Sequence, residues 1–144
     1  MNKLFIDSDI LIDLLAKRTH YNEALKLLSI ISENKAKAYT TPLVLANVDY
    51  IITKFGNKQK SRKALKTLRK NISILTMDEK GFDEALESSF PDFEDALQYF
   101  SAMNQGIDFI ISRNKKDYTK GNLKVVTAGE YLTILSANQK SKGV

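Results

Sequence analysis

At 144 residues, 43% hydrophobic and 27% charged, the chain has room for one domain of ordinary size and a globular composition, which excludes collagen-like, disordered and membrane-spanning classes. No apolar run approaches the ~20 residues of a bilayer-crossing helix, and Asp7 interrupts the first such run before a signal peptide could form, so the protein is expected to be soluble, unprocessed and cytoplasmic, with no membrane partner. Cysteine is absent and His20 is the one histidine, so disulfides, thiolate sites and poly-histidine zinc sites are excluded, and a bound metal would need oxygen ligands, which favours Mg²⁺ or Mn²⁺.

Lys3-Leu4-Phe5-Ile6 reads as a buried parallel strand that ends at Asp7 and leads directly into a helix through Leu15. Tyr21, Ala24, Leu25, Leu28 and Ile31 recur at helical spacing and define an amphipathic helix to about Asn34. Ala38-Tyr39-Thr40 is a second strand. Thr41 then serves as N-cap and Pro42 as first-turn residue of a helix to Phe55, which Gly56-Asn57 stops. Tyr50 and Phe55 are expected in the core from their spacing, the other reading being a groove for a partner peptide or a homodimer face.

Lys58 to Lys70 is a further helix with Ala64, Leu65 and Leu68 on one side, and Ile72 to Leu75 is a third strand. Charge is segregated here: Lys54 to Lys70 carry eight bases and no acid, whereas Asp78 to Asp95 carry eight acids and one base, within a formal net charge of +5. A basic stretch beside an acidic site suits a phosphate-backbone ligand, and a solvated helix face is the plainer alternative for the basic stretch alone. Helices follow at about Glu79 to Ser88 and Phe93 to Asn104, and Gly106-Ile107 turns the chain into Phe109-Ile110-Ile111, the most strand-like run. Leu123 to Val126 is a fifth strand. Thr127 and Glu130 form a capping box for a last helix to Ala137, and residues 138–144 are expected as a flexible polar tail on a domain of residues 1–137. Strands alternating with helices predict an α/β fold with a mostly parallel sheet of about five strands, whose ligands bind beyond the carboxyl ends of the strands.

Three places on that edge carry candidate chemistry. Asp7-Ser8-Asp9 follows the first strand, where each carboxylate either caps the helix or faces the open edge. Asp92 and Asp95 open a helix on nearly one side of its first turn. Asp92 reads equally as an N-cap, and the mutual repulsion of the two acids is of the kind a cation relieves. Ser112-Arg113-Asn114-Lys115-Lys116-Asp117-Tyr118 follows the fourth strand and is polar throughout, either as an ordinary loop or as the third acid-bearing segment that two-metal phosphoryl chemistry needs.

Taken in order, these segments resemble a known family. Phe5-Ile6-Asp7-Ser8-Asp9-Ile10-Leu11-Ile12-Asp13 is similar to the opening of PIN domains, Asp92-Phe93-Glu94-Asp95-Ala96-Leu97-Gln98 with Ala102 to their third-acid helix, and Ile110 to Tyr118 to their terminal Ser/Thr-Arg-Asn…Asp motif. Within the family the chain resembles the VapC-like toxin ribonucleases of type II toxin–antitoxin pairs. The resemblance implies a single PIN-like domain and a divalent-metal site built from Asp7, Asp95 and Asp117, with Asp92 as an addition and with Ser112 and Asn114 shaping it. It further implies metal-dependent cleavage of RNA to 5′-phosphate and 3′-hydroxyl ends, a homodimer, and a complex with an inhibitory antitoxin. Lys58, Lys60, Arg62, Arg113, Lys115 and Lys116 would hold the RNA by its phosphates.

One position departs from the pattern. Where the family places a glutamate after Thr40-Thr41-Pro42, this chain has Asn47, which can offer a carbonyl oxygen but no charge. Asp49 does not replace it, being about 200° away around the helix. Weaker metal binding than in the usual site is expected. Two rival readings follow: a catalytically weakened module that binds RNA or a protein, and a haloacid-dehalogenase-type phosphatase with Asp7 as nucleophile and Asp9 as acid.

Overall fold

The computed structural model describes residues 1–142, within which lie five strands and seven α-helices. The strands are β1 (Lys3–Ile6), β2 (Lys37–Thr40), β3 (Ile72–Ile74), β4 (Phe109–Ile111) and β5 (Lys124–Val126). The helices are α1 (Ser8–Leu15), α2 (Tyr21–Ser32), α3 (Pro42–Phe55), α4 (Lys58–Leu68), α5 (Glu79–Glu87), α6 (Phe93–Asn104) and α7 (Ala128–Lys142), with a 3₁₀ turn at Lys115–Tyr118. Among the described residues no helix is long and apolar enough to cross a membrane.

The sheet is parallel throughout, in the order β3-β2-β1-β4-β5. Central β1 is buried without interruption at Leu4, Phe5 and Ile6, as a strand covered on both faces must be. The chain builds outward from β1 to β3, then returns to lay β4 on the other flank of β1. The connections leaving β1 and β4 therefore diverge and open a crevice at the carboxyl ends of these two strands. α1 packs on α2 and α3, α2 on α7, α3 on α4, and α5 on α6.

Local chemistry accounts for where the helices begin and end. Thr41 Oγ1 accepts the Val44 N–H at 3.1 Å and Asn57 Oδ1 the Lys60 N–H at 2.8 Å, capping α3 and α4. The capping box before α7 is reciprocal, with Thr127 N–H on Glu130 Oε1 at 2.9 Å and Glu130 N–H on Thr127 Oγ1 at 3.1 Å. α1, α2 and α6 each end in a left-handed residue, respectively Lys17 (φ 50°), Asn34 (φ 61°) and Gly106 (φ 75°). The next N–H in each case returns to the helix, as in Arg18 N–H to Asp13 O at 3.1 Å.

Two expectations need correction. The last helix continues past Ala137 to Lys142, so residues 138–142 are helical, while Gly143 and Val144 lie outside the described residues. The polar run after β4, for which an ordinary loop is one of two open readings, closes a 3₁₀ turn at Lys115–Tyr118. Tyr50 and Phe55, expected in the core, are 62% and 75% exposed, because α3 buries Val44 and Val48 on its other side.

Candidate active site

Asp7 is the first residue beyond β1, and its N–H still pairs with Ile111 O of β4 at 3.0 Å, which fixes it at the mouth of the crevice. Its Oδ1 accepts the Ser8 N–H at 2.8 Å and so caps α1. Its Oδ2 accepts the hydroxyls of Ser112 at 2.9 Å and Tyr118 at 3.0 Å. Ser112 Oγ in turn accepts the Asn114 N–H at 3.0 Å, and Asn114 O accepts the Asp117 N–H at 3.0 Å, so Ser112 and Asn114 shape the loop around Asp7. Burial raises the Asp7 carboxyl above its ordinary pKa despite these three hydrogen bonds, and the charge of Asp117 acts in the same direction.

Asp95 is the third residue of α6 and half-buried. Its pKa is pushed up to about 7 by burial and then by the charges of Asp92, Asp117, Asp7 and Glu94. Asp7, Asp95 and Asp117 thus converge from the end of β1, the start of α6 and the 3₁₀ turn. Asp92 does what its position allowed: Oδ1 accepts the Asp95 N–H at 3.1 Å and caps α6, adding charge nearby. α6 itself is held by Tyr99, which packs against Phe90 and Phe100 and accepts the Asn122 N–H at 2.6 Å. A Cβ on Gly121 would fall 2.2 Å from the Tyr99 ring, so only glycine allows this approach.

Asn47 is exposed on α3 and, among the described residues, makes no hydrogen bond to these carboxylates. Asp49 points elsewhere, accepting the Ser61 hydroxyl of α4 with Arg62 at 3.9 Å. Among the described residues no three acids or histidines stand close enough to form a ready-made cage. The donor set nevertheless fits a hard cation that keeps much of its water. The donors are oxygens, and the charges acting on Asp95 are those of other carboxylates, an excess that a divalent ion relieves.

The raised pKa of Asp95, from burial and then repulsion, has a measurable sign. The folded, metal-free protein holds a proton on Asp95 up to about pH 7, whereas the unfolded chain releases it near 3.8, so the folded state binds more protons between these values. The contribution of Asp95 to stability should therefore fall as pH rises from 5 to 8. In thermal melts the wild type should lose stability relative to Asp95→Asn over this range, and Mn²⁺ should recover more of it at pH 7.5 than at pH 5.5. A difference that narrows with rising pH would contradict the assignment.

Beside the acids lies a second set of contacts that the sequence left unread. Asp9 Oδ1 accepts its own helix's Ile10 N–H at 2.9 Å and Oδ2 the Arg113 N–H at 2.8 Å, while burial and then the Asp7 charge raise its pKa to about 6. Asp13, only 1% exposed, receives Arg113 Nε at 2.8 Å and Nη2 at 2.9 Å as a two-pronged pair. Arg113, expected on an RNA phosphate, is turned inward. Lys115 pairs with Glu130 at 2.6 Å, whereas Lys116, Lys58, Lys60 and Arg62 are exposed. Asp13 had a signal, a charge inside the apolar run of α1, and Tyr118 had none beyond its place after Asp117.

The model of the PIN domain family matches residues 3–116, and the chain belongs to that family. It is also VapC-like, being 27% identical over 138 residues to ribonuclease VapC1 of Aquifex aeolicus (strain VF5), across 90% of this chain and 92% of that protein. Its fold matches VapBC2 from Rickettsia felis, bound to a promoter DNA fragment, with a TM-score of 0.71 at 16% identity over 87% of this chain and 98% of that one. It likewise matches VapC20 of Mycobacterium tuberculosis, a sarcin-ricin-loop-cleaving toxin, with a TM-score of 0.66 at 15% identity over 85% and 98%. Family membership removes the phosphatase reading, in which Asp9, here tied to two backbone amides, would have been the acid.

Proposed function

We propose that this protein is a Mg²⁺- or Mn²⁺-dependent endoribonuclease and the toxin of a toxin–antitoxin pair. The observation that carries the reading is the gathering of Asp7, Asp95 and Asp117 at the β1/β4 crevice, where burial and then the neighbouring carboxylate charges raise the pKa values of Asp7 and Asp95. The ribonuclease and toxin relatives support it. Asp7, Asp95 and Asp117 would hold the ion, Asp117 directly or through water. When bound, the ion supplies acidification of water and stabilisation of charge on the leaving oxygen. Asp7 is locked by Ser112 and Tyr118, so it meets the ion without reorganising. Lys116 and the exposed Lys58, Lys60 and Arg62 of α4 attract the phosphate backbone, giving binding that weakens with salt and reads bases little. Arg113, Lys115, Asp92 and Asn47 have lesser parts: positioning, a surface ion pair, a cap, and a neutral oxygen where the family carries an acid.

The antitoxin, by this reading, covers a groove of about 490 Å³ formed by Leu15 at the end of α1 and Ala16 after it, Ile51, Ile52 and Phe55 of α3, and Ala64 of α4. Phe55, with Lys54 Nζ 5.6 Å from its ring centre, offers apolar surface and a cation at one place. The implied homodimer belongs to the same reading, and light scattering of the protein alone tests it.

The function is tested by incubating structured and unstructured RNA pools with Mn²⁺, Mg²⁺ or chelator and mapping the ends. Metal-dependent cuts leaving 5′-phosphates are expected. RNA binding without cutting in Mn²⁺ would favour the weakened-module reading that Asn47 motivates. Asn47→Glu should raise Mn²⁺ affinity by about tenfold, since oxygen sites follow ligand charge, and calorimetry would register an unchanged affinity as evidence against Asn47 facing the ion.

A further inference from the structure

We propose that Asp9 and Asp13 of α1 are positioning residues that act through Arg113 to hold the loop bearing Ser112, Asn114 and Asp117 against Asp7. The inference rests on the metal-site reading above and adds to it.

Asp9 and Asp13 are four residues apart and share one face of α1. Asp9 takes the backbone of Arg113 at 2.8 Å, and Asp13 takes its guanidinium through two bonds of 2.8 and 2.9 Å. Main chain and side chain of one loop residue are thus both clamped to one helix. A single bond would leave the loop free to rotate; three bonds from two carboxylates fix its position and its orientation.

The clamp stands between the two halves of the site. Asp7 caps the start of the same helix, and Ser112, which bonds Asp7 Oδ2, directly precedes the clamped residue. On its other side only Asn114 separates Arg113 from the 3₁₀ turn that carries Asp117, and Asn114 is bonded both to Ser112 Oγ and to Asp117 N–H. α1 therefore acts as a ruler with Asp7 at one end and the loop fastened along its side.

Burial argues for geometry over stability. Asp13 is almost wholly withdrawn from water, and a buried ion pair is commonly no more stabilising than apolar side chains of similar volume. An apolar pair could join helix and loop, but it would lack the planar fork that fixes direction.

The test uses the whole chain and compares wild type with the neutral pair Asp13→Leu/Arg113→Met and with Arg113→Lys, reading the melting temperature and Mn²⁺ affinity by calorimetry in the absence of RNA. Arg113→Lys keeps a charge for Asp13 and supplies the answer if the neutral pair does not fold. Variants that melt near the wild type should bind Mn²⁺ about 10- to 100-fold more weakly, as is usual when a group that orients a metal ligand is lost. In an Asp117→Asn background the same changes should cost little further affinity, because the ligand being positioned is already gone. Wild-type Mn²⁺ affinity in a folded neutral pair would overturn the proposal and leave the metal site standing. Absence of Mn²⁺ binding by the wild type would overturn the metal site itself, and the positioning role with it.

Discussion

Asp95→Asn should abolish metal-dependent RNA cleavage and leave the fold intact. The substitution keeps the shape of the side chain and the Asp95 N–H bond to Asp92 that caps α6. Among the described residues the Asp95 carboxylate accepts no hydrogen bond from protein, so no buried partner is stranded. What is lost is the negative charge of a carboxyl whose pKa burial, and then the neighbouring carboxylates, already push up to about 7. Loss of a group that merely orients a metal ligand costs about 10- to 100-fold, so loss of the ligand should cost at least about 100-fold in cleavage. The same change should raise the melting temperature of the metal-free protein at pH 7.5, because the burial cost of the charge and its repulsion from Asp92, Asp117 and Asp7 are relieved. Activity near wild type in the variant, measured on the same RNA pool, would refute the role.

Arg113→Met should produce the largest loss of stability among the charged residues near the site. Asp13 would be left 1% exposed without its cation, and breaking a buried pair from one side costs about 3–5 kcal/mol. The Arg113 side chain is 32% exposed, which places the expected loss near the lower end, about 3 kcal/mol, and a fall of roughly 10 °C in melting temperature. Lys115→Ala is the contrast. Its pair with Glu130 is as short, at 2.6 Å, but both side chains are nearly half exposed, and such pairs contribute about 0–1 kcal/mol. Urea denaturation of the two variants measures the difference, and equal losses would contradict the burial argument.

Much of this was legible in the chain itself, for identifiable reasons. Thr41, Pro42 and Gly56 bracket α3 because capping, fixed proline φ and a glycine stop are local effects. Asp7 could be placed at the crevice because an apolar strand running into an acid and a helix puts that acid at the carboxyl edge of a parallel sheet. The clamp on Arg113 was not legible. Its partners are 100 residues apart, and α1 meets the β4 loop only because β4 lies beside β1. The bond from Tyr118 to Asp7 spans 111 residues and was hidden in the same way. Tyr50 and Phe55 show a different limit, since helical spacing tells which residues share a face but not whether another element covers it. α7 outran its expected end because polar residues read as tail also suit an exposed terminal helix.

The most direct test of the central claim is a Mn²⁺ titration of wild type and Asp7→Asn, with RNA cleavage followed in the same samples. Saturable binding and cleavage that rise together in the wild type and are lost together in the variant are the predicted result. Cleavage that persists in Asp7→Asn or in chelator would contradict a carboxylate-held metal at the β1/β4 crevice.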